Sequence, residues 1–200
     1  LRELSGFGRK TEEMLLKGIH VLKTKPKRFP YETVIPVVRK IKTYLTKHPK
    51  VTQVAVAGSF RRKKSTVGDV DFVIVSTRPK DVMDHFVSYK DVDDIIVKGP
   101  TRGSVRLQNG LQVDCRIVKT KEFGSALLYF SGGKQHNIEL RKIALRQGYT
   151  LSEYGLYTLQ EKKWGAGKTE KDIYTQLGLR YIPPRERLGM KEFVKYKNKK

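Results

Sequence analysis

Residues 54–75 read VAVAGSFRRKKSTVGDVDFVIV, and the fold turns on how this stretch is read. It opens on alternating small and β-branched residues, passes Gly58-Ser59 and a basic loop, and returns to an apolar run headed by Asp69 and Asp71. Residues two apart on a strand share a face. Two bare carboxylates that close repel, and each raises the cost of ionising the other. Something positive must meet that face: Arg61, Arg62 and the nearby lysines, or metal ions. A third acid, Asp114, stands mid-strand in LQVDCRIV, flanked by apolar residues, with Arg116 on its face and Cys115 on the other. If the two strands are neighbours, three carboxylates converge. An all-oxygen set without histidine or thiolate suits Mg²⁺ or Mn²⁺. Two such ions roughly 3.5–4 Å apart clamp an in-line phosphoryl displacement. Gly58-Ser59, where strand gives way to turn, offers backbone amides and a hydroxyl to phosphate oxygens.

The 200 residues include 42 Lys and Arg against 20 Asp and Glu, a formal charge of +22. That excess points to a polyanionic partner. Nucleic acid is favoured over an anionic membrane surface, because no apolar run approaches a transmembrane span and the basic residues are interleaved with glycines, prolines and acids. One cysteine, Cys115, excludes an internal disulfide and suggests an intracellular, reducing compartment. His20, His48, His85 and His136 are isolated from one another and from Cys115, so no zinc site is expected. No signal or transit segment is visible, and a start at Leu1 suggests a fragment or a processed product.

Pattern divides the chain into four. Residues 1–24 contain Gly6-Phe7-Gly8 followed by Met14, Leu15 and Ile19 at helical spacing. They read either as the second half of a helix-hairpin-helix, whose glycines let the backbone approach a phosphate, or as an ordinary turn between core helices. Residues 25–120 are mixed. A helix is predicted over Val34–Thr46, and strands over Gln53–Ala57, Val70–Ser76, Ile95–Val97, Ser104–Leu107 and Leu111–Lys119. A helix within RPKDVMDHFVSY and a hairpin at Asn109-Gly110 interrupt them. Residues 121–190 read as two helices broken at Ser131-Gly132-Gly133, with Gly148 closing the second. Short strands at Leu151 and Leu156–Leu159 and a helix over Lys168–Leu177 complete this lobe. Residues 191–200 read as a basic, loosely ordered, solvated tail.

GSFRRKKSTVGDVDFVIV, VDCR, YFSG, HNIELRKIALRQGY and SEYGLY resemble, in order and spacing, the family X DNA polymerases of the polymerase beta type. The resemblance covers palm and thumb, with Leu1 to about Leu22 matching the DNA-binding end of the fingers. It implies an α+β fold: a nucleotidyltransferase-type palm on a mixed β-sheet with flanking helices, a small α/β thumb and an N-terminal helical hairpin. The implied activity is templated addition of dNTPs to a primer 3′-OH in gapped or primer-template DNA, for short-gap repair, by a monomer with two Mg²⁺ ions or Mn²⁺ in their place.

By the same resemblance Asp69 and Asp71 match ligands of both metals, and Asp114 the ligand of the metal beside the 3′-OH. Gly58, Ser59 and Arg62 match the grip on the β- and γ-phosphates, with Gly68 just before the first acid. Arg116 matches an arginine that pairs with a metal-binding acid at rest. Tyr129, Phe130 and Gly132 match the segment against the sugar, Asn137 a minor-groove contact to the incoming base, and Arg141 a template contact. Glu153 and Tyr154 match the partners that reposition Arg141, while Gly6 and Gly8 match DNA-backbone contacts. Taken without the resemblance, Tyr129 and Phe130 read as core aromatics and Arg141 as a solvated charge. Gly133 and Lys134 depart from the small polar and acidic residues of the vertebrate pattern, and Ser131 from threonine. No lyase domain is matched, and LRYIPPRERLG resembles a thumb end that in microbial members runs into a phosphoesterase. The competing readings are a template-independent, RNA or small-molecule nucleotidyltransferase, and a non-catalytic DNA-binding fragment.

Overall fold

The computed structural model describes residue 12, residues 27–189 and residues 191–197. The expected hairpin at Gly6 and Gly8 lies outside the described residues. From Phe29–Pro30 (β1) the chain enters a helix, Tyr31–Thr46 (α1), whose Val34, Val38, Ile41 and Leu45 form one buried stripe. Val51–Val56 (β2) leads into a single helical turn, Gly58–Arg61 (α2), and Thr66–Val67 (β3) pairs with β1. Asp69–Ser76 (β4) and the helix Pro79–Val87 (α3) follow. Val92–Lys98 (β5), Arg102–Leu107 (β6) and Gln112–Val118 (β7) complete a five-stranded mixed sheet in the order β2-β4-β7-β6-β5. Strands β4 and β7 run parallel, and the other neighbours antiparallel. The β6–β7 hairpin turns at Asn109-Gly110, where Gly110 adopts a φ of +86° that glycine tolerates without a Cβ clash.

Alternation along β4 assigns its two faces. Val70, Phe72 and Ile74 join Val113, Cys115 and Ile117 of β7 in a core closed by α1 and by Val82, Met83 and Phe86 of α3. On the opposite face, Val73 and Val75 pack under Ala126 and Leu127, whereas Asp69 and Asp71 lie beyond that cover. One strand thus carries a dry end and an open, acidic end on the same face.

The cover is Phe123–Ser131 (α4), the first helix of a second lobe. Lys134–Arg146 (α5) comes next, followed by an antiparallel sheet of Tyr149–Ser152 (β8), Gly155–Thr158 (β9) and Trp164–Ala166 (β10). Gly148, just past α5, has φ +79°, the left-handed conformation that closes a helix. Glu170–Gln176 (α6) begins with a reciprocal cap: Thr169 Oγ1 accepts from Asp172 N–H, and the Asp172 carboxylate from Thr169 N–H. Leu128, Leu140, Ala144, Leu156, Ile173 and Tyr174 form the lobe's own core.

Two local expectations change: the turn at Gly58-Ser59 is helical, and the described part of the basic tail, residues 191–197, is not loose. The β1–β3 ribbon carries no sequence signal, being too short to show a period. Lys191–Lys195 folds as a helix (α7), with Phe193 and Glu192 only 6% and 7% exposed. Lysines dominate that stretch in composition, but Phe193 is the residue that docks it. No helix among the described residues is long and apolar enough to cross a membrane.

Candidate active site

Strand register builds the open face as a grid. Asp71 of β4 is level with Asp114 of β7, and Asp114 with Ser104 of β6. One step along, Asp69, Gln112 and Arg106 make a second row. On the other side Val73, Arg116 and Arg102 make a third. Facing pairs on neighbouring strands point the same way, so the three acids expected from the sequence share this face.

The charges of Asp69 and Asp71 are only partly compensated. Burial, then the charges of Asp69 and Asp114, push the Asp71 carboxyl up to about 7, and Arg62 offsets only part of this. Asp69 is open on one side yet recessed among its neighbours. Burial first, then Asp114, raise its carboxyl as well, against the pull of Arg28 and Arg62. Arg61 and Arg62 do not neutralise the pair. Arg61 is bound to Glu170, and Arg62 Nη1 donates to the carbonyls of Ser131 (2.7 Å) and Gly132 (3.3 Å). Gln112 Nε2 donates to both Asp114 oxygens, at 3.2 and 3.1 Å. No three potential ligands among the described residues close around a single ion. The donor chemistry nonetheless fits hard divalent cations: three carboxylates, no soft ligand, and a mutual repulsion that a cation relieves.

Two cavities flank the acids and share Asp71 and Phe130. The larger, about 430 Å³, is lined by Gly58, Ser59, Arg62, Lys64 and Arg28. Gly58 has φ +63°, and a Cβ there would overlap Asp71 Oδ2, so only glycine lets the turn close over the acid. The buried Ser59 Oγ has no protein partner. An orphan donor and a guanidinium in one recess suit phosphate oxygens. Gly68 follows at the strand start, where Arg28 Nη1 would lie 3.3 Å from a Cβ. The smaller cavity, about 220 Å³, holds Asp114, Ser104, Arg102, Arg116 and Ile96.

The thumb residues divide. Tyr129, Phe130, Gly132 and Asn137 are drawn together: Asn137 Nδ2 donates to the Tyr129 carbonyl at 2.7 Å, and a Cβ on Gly132 would overlap Asn137 Oδ1. Arg141 lies over the Tyr129 ring at 5.1 Å, Tyr129 meets Phe130 edge-on at 5.0 Å, and Arg116 lies over Phe130 at 5.2 Å. Two of the expected residues, Arg116 and Arg141, belong to this ladder. Arg116 lies over Phe130 and forms no ion pair with an acid among the described residues. Arg141 rests on Tyr129, while Tyr154 is 53% exposed and bonded locally through its backbone to Ser152 and Tyr157. Glu153 precedes Tyr154 in the β8–β9 turn.

Several contributors carry no local signal. Arg28, within a proline-broken stretch, hydrogen-bonds Thr66 and reaches the acids' field. Glu170 accepts from Arg61 (2.8 and 2.7 Å), Arg187 (2.8 Å) and the Tyr181 hydroxyl (3.2 Å), joining α2 to the second lobe. Arg61 also donates to Ser131 Oγ at 2.8 Å. His48 and His85, expected to be isolated, meet at a tilt with ring centroids 4.8 Å apart and planes 49° from parallel, and each is hydrogen-bonded to backbone.

Residues 28–123 match the family model of the DNA polymerase beta palm, and residues 126–188 that of the DNA polymerase beta thumb. The chain is 33% identical over 195 residues to the DNA polymerase/3′-5′ exonuclease PolX of Bacillus subtilis, which covers 96% of the chain and 34% of that protein. It is 34% identical over 158 residues to DNA polymerase lambda of Rattus norvegicus, covering 65% of the chain and 28% of the relative. The Repair DNA polymerase X of African swine fever virus is 26% identical over 142 residues, covering 68% of the chain and 81% of the relative. The chain thus spans about a third of the length of the first two relatives.

Proposed function

Because the chain belongs to the family X DNA polymerases, the polymerase beta type, we propose that it adds deoxynucleotides to a primer 3′-OH opposite a template, filling short gaps in DNA. The observation that carries this reading is a cluster of only partly compensated carboxylates between two cavities of unlike chemistry. In-line displacement needs the attacking and leaving oxygens on opposite sides of one phosphorus. The cavity with Gly58, Ser59 and Arg62 suits the triphosphate, and the one beside Asp114 suits the acceptor end.

In this reading Ser59 Oγ and the backbone of α2 take the distal phosphates, while Arg62, already anchored on the Ser131 and Gly132 carbonyls, neutralises the leaving pyrophosphate. Asp114 orients the attacking hydroxyl toward the α-phosphorus. The Tyr129–Phe130–Gly132 segment, braced by Asn137, forms the wall against sugar and base. Mg²⁺ ions held by Asp69, Asp71 and Asp114 would supply Lewis-acid stabilisation of the attacking and leaving oxygens. The +22 charge holds the DNA backbone, so binding weakens steeply with salt. The protein acts as a monomer on gapped or primer-template DNA. The test is extension of a one-nucleotide-gapped duplex with Mg²⁺ and dNTPs. Asp114→Asn binds the duplex but fails to extend it, and equal extension by that variant would remove Asp114 from the reaction.

A further inference from the structure

Ser104 lies directly across from Asp114 in the β6–β7 register, with its side chain on the acid face. It is 3% exposed, lines the smaller cavity, and its Oγ has no hydrogen-bond partner in the protein. A buried hydroxyl without a partner costs stability unless something else completes it. Nothing in the core requires a hydroxyl here. The neighbouring Gly103 faces the other way, toward Met83 and Phe86, so the strand alternates between an apolar side and a polar side at this point. On the polar side, two residues either way, stand Arg102 and Arg106, both exposed. A cavity floored by an orphan hydroxyl, flanked by the Arg102 guanidinium and walled by Asp114 is shaped for the end of a polyanionic strand, with a charge for its phosphate and a donor for its sugar.

We propose that Ser104 is a positioning residue for the acceptor strand. Its Oγ hydrogen-bonds the sugar of the terminal nucleotide, with Arg102 holding the adjoining phosphate, and so sets the terminal oxygen beside Asp114. This inference rests on the polymerase reading above, which assigns the smaller cavity to the acceptor.

Ser104→Ala, read in single-turnover extension of a gapped duplex, slows nucleotide addition about tenfold, the worth of one neutral hydrogen bond to a positioned group. The apparent dNTP Kd stays unchanged, since the phosphate grip lies in the other cavity. Ser104→Thr, which keeps the hydroxyl, recovers most of the rate. The melting temperature of the free Ala variant holds or rises, because replacing an unpaired buried hydroxyl by a methyl group is neutral or stabilising. A second measurement needs no chemistry: with EDTA present, 2-aminopurine at the primer 3′ end changes fluorescence between wild type and Ser104→Ala, while the same label five pairs inward does not. An unchanged rate in a wild-type-competent assay overturns the proposal, as does a lower melting temperature with loss of rate that Thr fails to restore. If wild type itself does not extend, the polymerase reading fails, and the 2-aminopurine comparison still decides for or against Ser104: a terminal-only change supports it, and no change ends it.

Discussion

Asp71 and Glu170 are both carboxylates withdrawn from water, yet the groups around them differ in sign. Around Asp71 the nearest charges are two more carboxylates, and its proton is held up to about 7. Around Glu170, burial also pushes the carboxyl upward, but hydrogen bonds and charge from Arg61 and Arg187 outweigh it and hold it below the usual range. Glu170 has its complement of donors inside the protein. Asp71 lacks one, and its complement must come from outside. Burial alone therefore does not separate a structural acid from a functional one; the sign of the surrounding charge does.

The sharpest way to break this contrast is to neutralise each acid in turn. Asp71→Asn lowers gap extension by roughly a thousandfold or more, the scale of losing a group aimed at transition-state charge. It also leaves the melting temperature of the metal-free protein equal or higher, since it relieves repulsion among the three acids. Extension assays beside calorimetry in EDTA read both quantities. A fall in both would make Asp71 a structural acid like Glu170.

Glu170→Gln is expected to do the reverse. It strands two guanidinium groups, one of them fully buried in Arg187, and costs roughly 3–5 kcal/mol of stability. At the domain's size that is a drop of roughly 10 °C in melting temperature. Extension by the protein that stays folded declines far less than in Asp71→Asn. A melting temperature within a degree of wild type would show that the network contributes no net stability.

The two regions also differ in how plainly the chain announces them. Asp69, Asp71 and Gly58-Ser59 are legible because their pattern is local: a period of two on an apolar strand, and a glycine before a hydroxyl at a strand end. Ser104 acquires meaning only from the register that sets it opposite Asp114, ten residues on, across a hairpin. Glu170 reads as an ordinary first-turn acid in a capped helix, and its partners lie 109 residues before it and 17 after it in the chain. Alternation places Arg116 on the Asp114 face, but its position over Phe130 depends on α4, which local sequence does not reveal. The α7 helix was hidden by its lysines, and its burial depends on His136, 56 residues earlier.

That last contact gives the smallest and most selective test. His136 is 0% exposed, with Nδ1 2.8 Å from Glu192, Nε2 2.9 Å from the Tyr174 hydroxyl, and the Phe193 ring stacked at 4.8 Å. A neutral ring that donates from Nδ1 and accepts at Nε2 satisfies both partners. Burial lowers its pKa well below the ordinary histidine range. Arg187 adds to that, and the Glu192 and Glu170 carboxylates oppose it without prevailing. Since the folded pKa lies below the unfolded value, the unfolded chain binds the extra proton first as pH falls. The stability from neutral His136 is thus complete above about pH 6.5 and is lost as pH drops toward the folded value, roughly 2 kcal/mol by pH 5. Melting temperatures of wild type and His136→Gln, taken from pH 7 to pH 5, read it directly. Wild type falls more steeply than the variant, whose amide keeps a donor for Glu192 but takes up no proton. Parallel curves would mean that His136 is as readily protonated in the folded chain as in the unfolded one, and that Glu192 balances the charge inside the thumb as Arg61 and Arg187 do for Glu170.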